Sequence, residues 1–329
     1  MTAAPVPQQL DRRHALEMVR VTERAAVAAA VWRGRGDEQS AEEAATSAAY
    51  AELGQMSVSG RVVIGAGVEG DVSHLYIGET VGGGGDAVDI AADALEGATL
   101  CAKNMPGSMA VMVLAAPGSL LQVPPVYMDK VAIGPGYPKD VISLRVKPED
   151  NIRALAEAKG VSTSDITALV LDRPRHAGLI AAVRAIGASV KLITDGDVAG
   201  VIHTTNPRDS GVDIYLGTGG AAEGVLAAAA LRCMGGQMQG RLILDTDDKR
   251  GLARKLGIRD PGRIYDLSDM VAGDCLMAAT GVTDGPLLHG VRFSRGLVET
   301  DTLLMRAASG TVRRISTRHS DPRKFGLEG

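Results

Sequence analysis

The stretch Ala168-Leu169-Val170-Leu171-Asp172-Arg173-Pro174-Arg175-His176 reads as a short apolar strand that runs into a polar, proline-bearing turn. Helical patterns flank it, over about 151–159 before and 176–186 after. The alternation continues with a strand at 190–193, a short helix, a strand at 212–216 and a long helix over 221–233. Strands alternating with helices predict a parallel sheet with helices on its faces. Upstream the texture differs. An amphipathic helix is expected over 11–32, stopping at Gly34 and Gly36. A second is expected from Ser40, where Ser40 and Glu43 form a capping-box pattern, to Gly54. Short apolar runs then read as strands at 61–64, 75–77, 87–91 and 109–114. The fold class expected is therefore α/β, with an α+β N-terminal part of two helices against a mostly antiparallel sheet. The natural boundary lies near 138–146. It gives a tail over 1–10, an N-terminal domain over 11–142, a C-terminal α/β domain over 143–318 and a tail over 319–329.

The chain has 329 residues, 45% hydrophobic and 22% charged, which are values of a globular enzyme and exclude disorder along its length. Aromatics are only 3%, so the core falls to Val, Ile, Leu, Ala and Met. A net charge of −4 leaves no electrostatic footprint for nucleic acid. No apolar run approaches the roughly 20 residues of a membrane helix, and the polar start lacks the apolar stretch of a signal peptide. Cys101, Cys233 and Cys275 lie far apart, which fits a reducing cytoplasm and argues against a disulfide framework or zinc-thiolate site.

Ligands of open parallel sheets bind beyond the carboxyl ends of the strands. After Leu171 come Asp172, Arg173, Arg175 and His176. After Ile193 come Asp195, Gly196 and Asp197. After Leu216 come Gly217, Thr218, Gly219 and Gly220, with Glu223 just inside the next helix. Arginines offer forked donors to phosphate oxygens, and a helix N-terminus adds backbone N–H groups. Each loop alone is an ordinary turn. Together, at three consecutive strand ends, they suit a polyol phosphate, with carboxylates for hydroxyls and arginines for phosphate.

A second constellation, Asp86, Asp89, Asp93 and Glu96, follows the glycine run 82–85. Loop carboxylates at a strand end suit hard cations such as Mg²⁺ or Mn²⁺, and read equally as a solvated turn. Asp89, inside the strand, needs partners if its face is packed. The six histidines form no metal-spaced set, and only His176 falls near the strand ends, in an orienting or purely structural role.

These residues resemble the class II fructose-1,6-bisphosphatases from about His14 to Ile315. The likeness runs in order through Arg20-Val21-Thr22-Glu23, Gly34-Arg35-Gly36-Asp37, Val63-Ile64-Gly65, Leu75-Tyr76-Ile77-Gly78-Glu79 and Gly85-Asp86-Ala87-Val88-Asp89-Ile90. It continues through Leu95-Glu96-Gly97, Tyr127-Met128-Asp129-Lys130, Pro174-Arg175-His176, Asp195-Gly196-Asp197, Gly219-Gly220-Ala221, Glu223-Gly224 and Ala279-Thr280-Gly281-Val282-Thr283. The resemblance implies a two-domain sugar-phosphatase fold related to the lithium-sensitive inositol phosphatases, a layered α-β-α-β-α sandwich. It implies divalent-metal-dependent removal of the 1-phosphate from fructose 1,6-bisphosphate by a cytoplasmic homodimer or homotetramer. Carried over by position, Glu42, Asp93, Glu96 and Glu223 correspond to metal ligands, with Asp93 and Glu96 central to catalysis. Tyr127, Arg173, Arg175, Asp195, Asp197 and Gly219 correspond to substrate contacts, with the Glu96–Gly97 backbone near the scissile phosphate.

The chain departs from the family pattern at one function. Where the family reads Gly-Glu-Gly-Glu-x-Asp, this chain reads Gly65-Ala66-Gly67-Val68-Glu69-Gly70. Ala66 removes a metal ligand and Gly70 removes an aspartate that helps activate the attacking water. Ala98 replaces the threonine paired with that aspartate, Glu38 stands for a lysine, and Glu42 for a metal-binding aspartate. Glu69, Asp71 and Thr99 each lie one residue from a useful position and are the candidate compensators. General-base assistance is worth roughly 10²–10⁴-fold, so hydrolysis is expected to weaken unless something compensates. Three readings follow: a sugar-phosphate phosphatase with an altered hydrolytic site, using Mg²⁺ or Mn²⁺ in full or reduced number; a paralogue acting on a phosphosugar by isomerase- or lyase-type chemistry, with one ion or none; and a non-catalytic sugar-phosphate-binding protein.

Overall fold

The computed structural model describes residues 9–327. They divide into two units, one taking the chain up to Leu121 and again from Val271, the other Gln122–Met270. The first unit opens with α1 (His14–Ala30), α2 (Glu38–Leu53), β1 (Val58–Ile64), β2 (Thr80–Val81), β3 (Asp86–Glu96), α3 (Ala98–Ala102) and β4 (Met109–Ala115). The second comprises β5 (Tyr127–Ile133), α4 (Pro148–Lys159), β6 (Thr167–Leu171), α5 (Ala177–Ala185), β7 (Ser189–Ile193), α6 (Asp197–His203), α7 (Pro207–Ser210), β8 (Ile214–Gly220), α8 (Ala221–Met234), β9 (Gln237–Leu242), α9 (Asp247–Lys255), β10 (Ile264–Asp266) and α10 (Leu267–Met270). The chain returns to the first unit with β11 (Cys275–Gly281), β12 (Arg292–Ser294), β13 (Leu297–Arg306) and β14 (Thr311–His319). The fold is mixed α/β, with two mixed sheets.

The sheet of the first unit has the order β12-β13-β11-β4-β3-β1-β2, with β14 pairing β13. Only β1 and β3 run parallel in it. Central β4 (MAVMVLA) is buried along its length, as a strand with neighbours on both edges and packed faces must be. On α2, Ala41, Ala45, Ala49 and Leu53 are buried at every fourth position, one helix ridge that joins the core shared with α1. Buried threonines tie α1 to the sheet: Thr280 Oγ1 donates to Thr22 Oγ1 at 2.7 Å and lies 2.7 Å from Thr302 Oγ1.

Several local expectations are corrected. Asp37, not Ser40, caps α2. Its extended backbone turns the carboxylate onto the Ser40 N–H and hydroxyl, at 3.0 and 2.7 Å, so the capping box read at Ser40 and Glu43 lies inside the helix. Segment 75–77 is not a strand. Leu75 takes a left-handed conformation (φ 55°), its N–H donates to the Glu79 carboxylate at 2.5 Å, and only an isolated bridge joins Tyr76 to Gly67. β3 runs on to Glu96, so Asp93 and Glu96 lie within a strand rather than beyond its end. A register shift against β4 separates the two.

The second sheet has the order β10-β9-β5-β8-β6-β7. Only β7, β6 and β8 form the expected parallel array. β5 runs antiparallel between β8 and β9, so the connection through α8 carries the chain across it. This also moves the division of the chain. β5 belongs to the second unit and the chain leaves that unit at Met270, so neither a single boundary near 142 nor one return-free C-terminal domain describes it. Of the expected N-terminal tail, residues 1–8 lie outside the described residues. Leu10 is buried, its N–H on the Asp274 carboxylate at 3.0 Å. The expected C-terminal tail is ordered through its 3₁₀ turn Pro322–Phe325, where Phe325 meets the buried His319 ring edge-on. Among the described residues no helix is long and apolar enough to cross a membrane, and the three cysteines are buried and unbridged.

Candidate functional site

The carboxyl ends of β6, β7 and β8 bring the strand-end residues to one edge of the second sheet. Tyr127, first residue of β5, pairs with Gly220 at the same edge. Arg175 donates from Nε and Nη2 to the Thr218 carbonyl at 3.1 and 2.7 Å, and its guanidinium lies 4.9 Å from the centre of the Tyr127 ring. Tyr127 is 51% exposed and Arg175 is exposed, so this stacked pair faces solvent with donors available to an anion. Arg173 is half-buried beside it in sequence, and its Nη1 donates to the Asp172 carbonyl at 3.3 Å. Asp195 accepts from the Gly196 N–H at 3.0 Å in the turn into α6.

His176 is buried and fixes this edge. Its Nδ1–H donates to the Leu171 carbonyl at 2.7 Å, and Nε2 accepts the Thr218 N–H at 2.8 Å. That pattern requires the neutral ring. Burial lowers its pKa below the usual value, and the adjacent Arg175 and Arg173 charges push the same way. His176 is therefore a positioning residue.

The two faces of β5 divide the work by strand alternation. On one face Asp129 accepts from Thr218 Oγ1 at 2.7 Å and from Arg241 Nη2 at 2.8 Å. On the other, Met128 and Lys130 lie under Gly224 of α8. Lys130 is buried, paired with Asp197, and donates to the Gly220 carbonyl at 2.7 Å. Asp197, expected as a substrate contact, is 6% exposed and paired with this cation. Glycine at 219 is demanded by that pair: an added Cβ would stand 2.2 Å from Asp197 Oδ2 and 3.0 Å from Lys130 Nζ. Glu223, in the first turn of α8, folds its carboxylate back over Gly220.

Lys130, Asp129 and Arg241 were not singled out by the strand-end reading, which looked only at residues after parallel strands. A signal was present. A lysine in the otherwise apolar run Lys130-Val131-Ala132-Ile133 is a buried charge that needs a carboxylate.

In the first unit the acids separate into two kinds. Asp89 is buried and its Oδ2 accepts the Gly118 N–H at 2.6 Å; burial raises its pKa, while that hydrogen bond opposes the rise. Asp86 meets His14 Nε2 at 2.9 Å. These two are structural. Asp93 is half-buried and accepts the Leu95 N–H at 3.2 Å; Glu96 is 5% exposed, and its carbonyl accepts from Ser108 Oγ at 3.1 Å. Gly97 follows in a left-handed conformation at the start of α3. Glu42 lies on an exposed stretch of α2, yet its carboxyl sits low among neighbouring atoms. Desolvation, then the Asp93 charge, then the Glu38 charge raise its pKa.

Carboxylates that hinder each other's ionisation are an arrangement a cation relieves. Among the described residues, however, no three His, Cys, Asp or Glu side chains come together as a group able to hold a metal. Glu42 and Asp93, whose charges oppose each other, are a pair whose chemistry would suit a hard cation completed by water and phosphate oxygens. Ala66, Glu69, Gly70 and Asp71 lie on the loop between β1 and β2, with Glu69 and Asp71 exposed; Ala98 and the half-buried Thr99 begin α3.

A model of the family described as bacterial fructose-1,6-bisphosphatase, glpX-encoded, matches residues 12–319. The chain is 40% identical to a D-fructose 1,6-bisphosphatase class 2/sedoheptulose 1,7-bisphosphatase of Synechococcus sp. (strain JA-3-3Ab), over 94% of this chain and 96% of the relative. It is also 40% identical to fructose-1,6-bisphosphatase 1 class 2 of Escherichia coli (strain K12), over 96% of this chain and 97% of that protein. The chain belongs to the glpX-encoded, class 2 fructose-1,6-bisphosphatase family.

Proposed function

We propose that this protein is a divalent-metal-dependent sugar-bisphosphate phosphatase that acts on fructose 1,6-bisphosphate or a close relative such as sedoheptulose 1,7-bisphosphate, with an altered hydrolytic site. The observation that carries the reading is the exposed Arg175–Tyr127 pair at the strand edge shared with Arg173 and Asp195. Arg173 and Arg175 would take phosphate oxygens, and Asp195 and Asp197 would take sugar hydroxyls, with Gly219 beside them. Glu42 and Asp93 are the pair that would hold Mg²⁺ or Mn²⁺, and Glu96 and Glu223 are the further acids that the family pattern assigns to metal. A bound cation supplies charge neutralisation for phosphoryl transfer and acidifies water. In the chain itself, Glu96 and Gly97 would orient the scissile phosphate through their backbone. Family membership further supports a homodimer or homotetramer working in the cytoplasm.

A second reading has specific support. Ala66, Gly70 and Ala98 lack the side chains that would bind a further ion and activate water, and no three-acid cluster forms among the described residues. A paralogue that transforms a phosphosugar without releasing phosphate fits these facts. The deciding experiment measures inorganic phosphate released from both bisphosphates and from sugar monophosphates with Mn²⁺ or Mg²⁺, beside Asp93→Ala and Glu223→Ala. Metal-dependent release lost in both variants supports the phosphatase, with Glu69, Asp71 or Thr99 supplying the missing function. Absence of release, with sugar-phosphate binding that Arg175→Ala abolishes, moves the assignment to the second reading.

A further inference from the structure

The Lys130 side chain is the most completely buried charge of the second unit, 1% exposed, and it lies on the helix-covered face of β5. Its ammonium reaches two elements at once: the carboxylate of Asp197 at the start of α6, and the carbonyl of Gly220 where β8 turns into α8. Gly219 leaves the space in which that pair meets. A buried cation is retained at a desolvation cost of several kcal/mol, so its two partners must hold it in one geometry. One oxygen of Asp197, Oδ2, is thereby committed to Lys130.

We propose that Lys130 is a positioning residue for sugar recognition. It orients Asp197 so that the second carboxylate oxygen, Oδ1, accepts a hydroxyl of the sugar, while it locks the Gly219–Gly220 turn over which Glu223 folds. Lys130 acts through Asp197 and touches no substrate. The inference rests on the sugar-phosphate reading above, and binding rather than turnover tests it.

The experiment is calorimetric titration of fructose 6-phosphate into the full chain, comparing wild type, Lys130→Met, Asp197→Asn and the double variant, with inorganic phosphate as a ligand that has no sugar. Losing one hydrogen bond to a charged group costs about 10–100-fold in affinity. The expected result is a loss of that order in Lys130→Met for fructose 6-phosphate and little change for phosphate. The double variant should bind like Asp197→Asn alone, because both changes remove the same contact. It also balances the buried charge, so the comparison holds if Lys130→Met fails to fold. Wild-type affinity in Lys130→Met, an equal loss for phosphate and sugar phosphate, or a double variant weaker than Asp197→Asn by the full Lys130 effect overturns the proposal. A wild type that binds no sugar phosphate overturns the sugar-phosphate reading itself, and this inference with it.

Discussion

The Thr218 N–H donates to Nε2 of His176 across 2.8 Å, joining the end of β8 to the turn that leaves β6. Because the other ring nitrogen holds the Leu171 carbonyl, one neutral imidazole closes the gap between two parallel strands where backbone pairing stops. Replacing it with leucine leaves an amide and a carbonyl without partners. His176→Leu is expected to cost about 2–4 kcal/mol of stability in urea unfolding at pH 7.5. The lowered pKa of His176 sets the sign of its pH effect: its contribution is complete above the unfolded value near 6.5 and falls as the medium becomes more acidic. The stability lost on going from pH 7.5 to 5.5 should therefore be smaller in the variant than in wild type.

Arg175 makes two hydrogen bonds to one carbonyl while stacking on Tyr127, and both contacts need a planar guanidinium. Lysine keeps the charge but loses the forked pair of donors and the flat stacking surface. Arg175→Lys is expected to weaken sugar-phosphate binding by about 10–100-fold with little change in melting temperature, as titration and thermal unfolding would report. Binding within about twofold of wild type would remove Arg175 from the phosphate site.

Asp89 and Asp93 lie on one strand and should respond differently to substitution. Asp89→Ala strips the Gly118 amide of its partner and is expected to destabilise by about 1–3 kcal/mol while leaving the metal dependence unchanged. Asp93→Ala relieves the charge that raises the Glu42 pKa but strips the Leu95 N–H of its partner, so the two effects offset and stability should change by less than in Asp89→Ala while the Mn²⁺ or Mg²⁺ response is abolished. Chemical unfolding beside metal-titrated assays separates the two, and a metal response lost in Asp89→Ala would contradict the division.

His203, at the end of α6, is buried, and desolvation followed by the Lys191 charge lowers its pKa to about 4. The unfolded chain binds a proton near pH 6.5 that the folded chain resists until about 4, so stability is present above 6.5 and drains away between those values. Between pH 7 and 4.5, wild type should lose roughly 2–3 kcal/mol more than His203→Gln. Equal losses in urea unfolding at the two pH values would show that His203 is not held neutral.

The parallel half of the second sheet was legible because its helices and strands alternate with clear periods, and because Arg173, Arg175, Asp195 and Glu223 follow strand ends in order. The β5 strand escaped that reading. An antiparallel strand inserted between β8 and β9 leaves no trace in the alternation, and its partners lie about ninety or a hundred residues away in sequence. For the same reason the pairing of Lys130 with Asp197 was invisible, although the need for some carboxylate was not. In the first unit, Asp89 and Asp93 look alike as letters. The place of Asp89 inside the strand shows that it needs a partner, and the Gly118 amide is that partner.

The first unit is assembled from two stretches of chain separated by the second, and this bears on how the protein is made. Strand β4 is apolar along its whole length, and its neighbour β11 pairs with it from Cys275 opposite Ala115 to Gly281 opposite Met109. At about 5–20 residues per second, a ribosome delivers that partner roughly 10–30 s after β4 itself. During that interval the nascent chain carries an oily strand with one edge unpaired, while the intervening unit receives its last strand, β10, before β11 is made. The later-numbered unit is thus free to fold first, and the interval is when a chaperone has most to protect.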